Sequence, residues 1–256
     1  MIKKHIFAEL DILNNLRIFF SKQHKVMFLH SPKCGSSYLK SFSLLNLSNQ
    51  KISEDINHYE LISNEELGIN TWRKNNSITL ENLNDPTIQK FQITRNPYER
   101  VSSYFKHKIL RFIIINLQKH SLSNPLSGED KTFRSLAMNQ ISNFNMFITT
   151  LENPNEPKVH KNIPLDTFIE IHEHLYPQYH WLFSKYFTPI DLKDLENKLQ
   201  DIFPNTILPS KKYFTHHNHN VWGDNWTEKI KCYTQETKDK IYNLYKDDFT
   251  KFNYEK

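Results

Sequence analysis

Two stretches of the chain show the same change of pattern, from a short apolar run to apolar residues at helical spacing. The first run covers residues 25–30, KVMFLH, and is typical of a buried strand. The segment SPKCGSS follows it, and then comes one helix face: Tyr38, Leu39, Phe42 and Leu45. The pattern predicts a strand, a short loop and a helix that begins near Ser36.

The second apolar run covers residues 91–94 and is followed by RNPYERVSSYF. Asn96 is a good helix N-cap, Pro97 suits the first helical position, and Glu99 suits the third. The predicted helix then presents one face: Val101, Tyr104, Phe105, Lys108 and Phe112. This part of the chain again predicts a strand, a turn and a helix.

The remaining segments complete the expected architecture. Residues 121–130 and 153–157 have loop composition, and residues 191–200 predict a short polar helix after Pro189. A last helix has one apolar face: Ile241, Leu244, Tyr245, Phe249 and Phe252. Because strands alternate with helices, we expect an α/β fold in which helices flank a central, mostly parallel sheet.

Composition narrows the class of protein. With 256 residues and 38% hydrophobic content, we expect one domain over residues 1–256 with a buried core rather than a disordered chain. Four glycines are too few for propellers or for sandwiches built from tight turns. The net charge is +5, but the sequence has no dense block of Lys and Arg residues. We therefore expect no nucleic-acid partner and favour a small anionic ligand.

Cysteine usage and the N-terminal segment bear on the compartment. The sequence has two cysteines, Cys34 and Cys232. Their number and spacing fit neither a disulfide framework nor a zinc-binding pattern. The first twenty residues mix charges with apolar residues, unlike a signal peptide or a membrane span. We therefore expect a cytoplasmic protein without stable membrane insertion, and its oligomeric state stays open.

The segment PKCGSS has the groups that an anion site needs. The first N–H groups of a helix are unpaired and carry partial positive charge. Gly35 allows close backbone approach, Ser36 and Ser37 add hydroxyl donors, and Lys33 adds a full charge. The alternative is an ordinary turn with a solvated lysine. Neither the Walker A pattern nor G-x-G-x-x-G is present, which argues against a kinase, an ATPase or a dehydrogenase.

Arg95 and Ser103 favour the anion interpretation. Arg95 follows the second strand, and Ser103 lies two turns into the helix after it. A guanidinium can bind a phosphate through two hydrogen bonds, and a serine hydroxyl can add a third. Two anion sites at two strand ends suit a ligand with two separated anionic groups.

At this point the chain resembles the sulfotransferases that use 3′-phosphoadenosine 5′-phosphosulfate (PAPS), specifically their carbohydrate sulfotransferase branch. FLHSPKCGSSYLKSF resembles the first signature of that branch, HIPKTGGTS, and TRNPYERVSSYF resembles the second. The tail IYNLYKDDFTKFNY is similar to the ending Y-x-x-D-F-x-x-F-x-Y. HLYPQ and HHNHN are similar to weaker family segments. The matches come in the family's order, although Cys34 and Ser36 stand where threonine and glycine are usual.

The resemblance implies a sheet related to that of nucleotide kinases and a set of PAPS-binding residues. A first loop would hold the 5′-phosphosulfate, and it comprises Lys33, Cys34, Gly35, Ser36 and Ser37. Arg95 and Ser103 would bind the 3′-phosphate. His216 and Asn218, in the HHNHN segment, would lie near the nucleotide. Trp222 and Trp226 are candidates for stacking on a sugar or on adenine, although core packing is the commoner role of tryptophan.

The implied reaction is sulfuryl transfer to a hydroxyl of a carbohydrate or glycoconjugate, with release of adenosine 3′,5′-bisphosphate. Lys33 would neutralise the charge on the leaving oxygen, and no metal is required. A histidine suits the role of base, with His58 as first candidate and His174 as second. Two alternatives stay open: a P-loop-type kinase for small molecules, and a catalytically inactive relative that binds nucleotide or glycan.

Overall fold

The computed structural model describes residues 17–21, 24–47, 80–105, 144–145, 147–149, 151, 175–209 and 233–256. The chain divides into two compact units. Of the described residues, 17–95 and 176–209 belong to the first unit, and 96–175 and 233–256 belong to the second. The expectation of a single domain stays a prediction.

The first unit contains a sheet with four described strands. They are β1 (Arg17–Ser21), β2 (Val26–His30), β3 (Gln89–Thr94) and β4 (Thr188–Asp191), adjacent in that order. β1 pairs antiparallel with β2, whereas β2 with β3 and β3 with β4 are parallel pairs. The expected α/β fold with a mostly parallel sheet is confirmed.

Helices account for most of the other described elements. In chain order they are α1 (Ser36–Leu47), α2 (Leu80–Asn84), α3 (Pro97–Tyr104), α4 (Trp181–Ser184), α5 (Leu195–Ile202), α6 (Gln235–Leu244) and α7 (Lys246–Lys251). A 3-10 turn, Leu192–Asp194, leads into α5.

β2 is buried along its whole length because both faces of the sheet are covered. All five of its residues are buried, which matches its continuous apolar run. Alternate side chains point to opposite faces of a strand. Accordingly, Val26 and Phe28 belong to one core cluster of the first unit, and Met27 and Leu29 belong to another. Phe28 lies opposite Phe91 of β3, and the centroids of their rings are 5.6 Å apart.

Parallel pairing places two loops at one edge of the sheet. His30, the last residue of β2, lies opposite Ile93, the penultimate residue of β3. The loop before α1 and the residue Arg95 therefore leave the sheet at the same edge. The candidate functional site lies at this edge of the sheet.

The segment after Pro189 differs from its predicted form. Residues 188–191 form β4, and α5 begins only at Leu195. Asp191 ends the strand, and its carboxylate accepts a hydrogen bond of 3.0 Å from the Lys193 backbone N–H. A proline is tolerated here because β4 is the last strand in the described part of the sheet, where fewer ladder bonds are needed.

The second unit packs α3 against the C-terminal helices. The Asn96 side chain accepts a hydrogen bond of 2.9 Å from the Tyr98 N–H, and Pro97 opens α3, which confirms the predicted cap. The predicted last helix is two helices, because the backbone of Tyr245 departs from helical geometry between α6 and α7. Ile241, Tyr245 and Phe249 are buried as expected.

Several expectations concern residues outside the described part of the chain. These are the two loops at 121–130 and 153–157 and the continuation of the α3 face through Lys108 and Phe112.

Candidate functional site

The loop between β2 and α1 is a tight turn directly before a helix. The Cys34 N–H donates to the Ser31 carbonyl over 3.1 Å, and the Leu39 N–H donates to the Gly35 carbonyl over 3.0 Å. α1 therefore begins immediately after Gly35, and the loop lies at its N-terminus. Helix N-termini favour anions because their first N–H groups lack intrahelical partners.

Two residues of the loop have left-handed backbone. Gly35 has φ +82°, which glycine adopts without strain. Lys33 has φ +68°, which is uncommon for a residue with a side chain, whereas Cys34 between them has no positive φ. Left-handed residues alternating with ordinary ones turn successive N–H groups toward one side, the arrangement of anion-binding nests. The sequence analysis anticipated the glycine but not the conformation of Lys33.

Packing also requires glycine at position 35. A Cβ built there would lie 2.7 Å from Leu192 Cδ1 and 3.3 Å from Leu195 Cδ2. The loop is thus pressed against the start of α5, and the residue meets both a backbone and a packing requirement.

Ser36 and Ser37 lie in the first turn of α1. The Ser36 hydroxyl is 3.2 Å from His30 Nδ1, and His30 is buried at the end of β2. This contact orients the hydroxyl at the loop. Sequence reasoning missed His30, although a polar residue that ends a buried apolar strand just before the loop was an available signal.

Arg95 contacts the loop directly. It follows β3, and its Nη1 donates to the Lys33 carbonyl over 3.2 Å. Within the first unit the structure therefore brings Arg95 and the PKCGSS loop together, although 62 residues separate the two in sequence. A guanidinium and a helix N-terminus at one place make a strongly anion-attracting site.

Gln178 connects these parts. Its side chain is buried, and its Oε1 accepts from the Arg95 N–H (2.8 Å) and from the Cys34 thiol (3.1 Å). Its Nε2 donates to the Arg95 carbonyl over 2.7 Å. Sequence reasoning found Gln178 only as part of the HLYPQ resemblance and assigned it no role.

Ser103 lies on α3 in the second unit and is partly buried. Its joint binding of a phosphate with Arg95, which belongs to the first unit, stays a prediction. The other predicted site residues lie outside the described part of the chain: His58, His174, His216, Asn218, Trp222 and Trp226. Their assigned roles also stay predictions.

The second and the C-terminal signature segments meet in the core of the second unit. Arg100 is fully buried, and its Cζ is 5.4 Å from the centroid of the Tyr245 ring. The Tyr245 hydroxyl donates to the Leu175 carbonyl over 2.8 Å. Burial raises the pKa of Tyr245 to about 12, with the nearby Arg100 opposing the rise. These residues of the motifs hold the core rather than a ligand.

The residues that the structure describes offer neither a metal-ion cluster nor a membrane-spanning helix. They contain no group of three His, Cys, Asp or Glu side chains that could hold a metal ion. None of their helices has the length and apolar content to cross a bilayer.

Comparison with known proteins gives a family for the whole described site. The sequence model of the Sulfotransferase family matches residues 16–255 of the 256. No curated protein and no solved structure matches the chain. The family match covers the loop after β2, Arg95, Gln178 and the C-terminal helices in a single alignment. The chain belongs to the sulfotransferase family.

Proposed function

We propose that the protein transfers the sulfuryl group of PAPS to a hydroxyl of a carbohydrate or glycoconjugate and releases adenosine 3′,5′-bisphosphate. The contact between Arg95 and the Lys33 carbonyl carries this proposal. It joins a strand-to-helix anion loop to a guanidinium at the next parallel strand end. A nucleotide with a 5′-phosphosulfate and a 3′-phosphate offers one anion to each.

The motif resemblance, together with the geometry of the loop and Arg95, supports the following assignment of donor-binding residues. Lys33 to Ser37 surround the 5′-phosphosulfate at the N-terminus of α1. Arg95 and Ser103 bind the 3′-phosphate. His216 and Asn218 bind near the nucleotide, as the resemblance of their segment implies.

In the proposed reaction the acceptor oxygen attacks sulfur in line with the bridging oxygen. A new S–O bond forms as the bond from sulfur to the bridging oxygen breaks, and the electron pair stays on the leaving phosphate. The Lys33 ammonium stabilises the charge that grows there. His58 takes the proton of the acceptor hydroxyl, and His174 is the second candidate for this role. No metal takes part.

A saccharide acceptor is supported by the carbohydrate-branch motifs and by one exposed aromatic residue. Trp181 is 61% exposed, an unusual state for tryptophan, and it stacks on His180 with 5.8 Å between ring centroids. It lies three residues after Gln178, whose carboxamide holds the Arg95 backbone, so the Cα atoms of Trp181 and Gln178 are at most about 11 Å apart. An exposed aromatic face is a suitable platform for a sugar ring. We place the reaction in the cytoplasm, in polysaccharide biosynthesis.

A kinase and an inactive relative are the alternatives. A kinase requires ATP with magnesium, and the family match disfavours it. An inactive relative would bind the nucleotide without turnover. Sulfuryl transfer from PAPS by the wild type, lost in Lys33→Ala while nucleotide binding persists, separates the enzyme from both.

The first experiment measures melting temperature with adenosine 3′,5′-bisphosphate, with ADP, and with ATP and magnesium. A ligand at a hundred times its Kd stabilises by about 2.7 kcal/mol, a readily measured shift. We expect the bisphosphate alone to stabilise the wild type and Arg95→Ala to lose this shift. Lys193→Ala, an exposed cation of the same unit, is the matched control and keeps it. Equal stabilisation by ATP with magnesium, or none by the bisphosphate, contradicts the proposal.

A further inference from the structure

Gln178 occupies a position between the two anion-binding elements of the first unit. Its carboxamide oxygen accepts a hydrogen bond from each element. The donors are the Arg95 N–H after β3 and the Cys34 thiol in the loop before α1. Its amide nitrogen returns a bond to the Arg95 carbonyl. Gln178 is only 3% exposed, so these bonds do not exchange readily with water.

The main chain of Gln178 is itself anchored to the sheet. Its carbonyl accepts from Gln92 Nε2 over 2.6 Å, and Gln92 is a buried residue of β3. The hydrogen bonds of the Gln178 side chain with Cys34 and Arg95 are called the clamp from here on. The clamp is anchored to a strand rather than to a loop. Sites supported in this way hold their geometry better than sites whose supporting groups are themselves mobile.

The thiol of Cys34 has a defined part in the arrangement. Cys34 stands where the resembling family usually has threonine, and its side chain is fully buried. The thiol is the donor that links the loop to Gln178. Position 34 thus supplies a hydrogen-bond donor to the clamp, in addition to the loop backbone.

We propose that Gln178 is a positioning residue that fixes the distance between the Lys33–Ser37 loop and Arg95, so that one nucleotide can engage both. This inference rests on the proposed function, since the nucleotide is its ligand. Gln178 touches no reacting atom. It acts through Cys34 and Arg95, and its loss should affect ligands that span both elements more than ligands that use one.

The test compares Gln178→Met with a matched control, Asn46→Leu, both in a Cys232→Ser background. Methionine is similar in size to glutamine and removes the hydrogen bonds. Asn46 makes the same two-way pair with one distant residue, accepting from Ile207 N–H (2.6 Å) and donating to its carbonyl (2.8 Å). It lies near the C-terminal end of α1, away from the loop.

The first readout is the ratio of affinities for adenosine 3′,5′-bisphosphate and for adenosine 5′-monophosphate, measured by calorimetry. The two ligands differ only in the 3′-phosphate, which Arg95 binds. We expect Gln178→Met to lower this ratio roughly tenfold, because the loss of a buried hydrogen bond that places Arg95 costs about that much in affinity. We expect Asn46→Leu to leave the ratio unchanged. An unchanged ratio, or an equal loss for both ligands, overturns the positioning role.

The second readout does not depend on the nucleotide. The rate at which a thiol reagent labels Cys34 should rise in Gln178→Met and stay at the wild-type value in Asn46→Leu. Equal labelling rates show that there is no clamp. If the wild type binds neither nucleotide, the proposed function fails and the positioning role with it, even where labelling shows that the clamp exists.

Discussion

Lys33, the proposed catalytic cation, has a backbone conformation that lysine rarely adopts. A left-handed φ costs a residue with a Cβ about 1–2 kcal/mol. Such a conformation persists only where the surrounding contacts enforce it. Here the enforcing contacts are the turn from Ser31 to Cys34 and the bond from Arg95 to the Lys33 carbonyl. A strained residue that carries the predicted catalytic charge is consistent with a preorganised site.

Two substitutions separate the charge of Lys33 from its strain. Lys33→Ala and Lys33→Gly both remove the ammonium, and we expect each to lower kcat by about 10²–10³. Glycine accepts φ +68° without strain, so Lys33→Gly should be about 1 kcal/mol more stable than Lys33→Ala. Urea unfolding and PAPS turnover measure the two effects.

The result can contradict either half of this argument. Equal stability of the two variants means that the backbone at position 33 is not strained. A kcat that survives the loss of the ammonium removes Lys33 from the catalytic residues.

At the scale of elements, local sequence patterns predicted both successions of strand, loop and helix. β2 and β3 are short apolar runs, and α1 and α3 follow them with helical spacing and a recognisable cap. β1 and β4 were not predicted. β4 is four residues long and contains Pro189, and its parallel partner β3 lies almost a hundred residues away. Pairing at such distance leaves little local trace in sequence.

The cap of α3 gives a prediction for this scale. Asn96→Ala removes the acceptor for the Tyr98 N–H and should lower the free energy of unfolding by about 1 kcal/mol. Asn96→Asp keeps an acceptor and adds a charge that favours the helix N-terminus, so it should remain near the wild type. Urea unfolding of the three proteins checks this, and equal loss in both variants would contradict the capping role.

At the scale of the whole molecule, the contacts that join distant segments are the ones that the sequence did not predict. The core of the second unit joins the second signature segment to the C-terminal one through Arg100 and Tyr245, a contact that the sequence analysis did not predict. The loop and Arg95 were predicted because each follows a strand. Gln178 was not, because its partners lie 83 and 144 residues away and no local pattern marks such a contact.

The buried Tyr245 makes stability depend on pH in the alkaline range. Its pKa is about 12 in the folded protein against 10 when exposed, so the folded state favours the neutral phenol. The stabilisation is complete below pH 10 and is lost as pH rises through 12, by about 2–3 kcal/mol in total.

Tyr245→Phe tests this dependence. The variant should be less stable at pH 7 by about 1 kcal/mol, because the Leu175 carbonyl loses its donor. Between pH 9 and pH 12 it should lose less stability than the wild type, since phenylalanine does not ionise. Parallel losses over this range, measured by urea unfolding, would contradict the assignment.

The clamp at Gln178 also sets an order of events during synthesis. The loop at residues 31–35 is made well before Gln178, the residue that joins it to Arg95, which comes 144 residues after Cys34. At about 5–20 residues per second, the ribosome adds those residues in roughly 7–30 s. During that interval the emerging chain carries the loop without the contact that joins it to Arg95. Under the proposed function, nucleotide capture by both elements therefore waits until Gln178 has been translated.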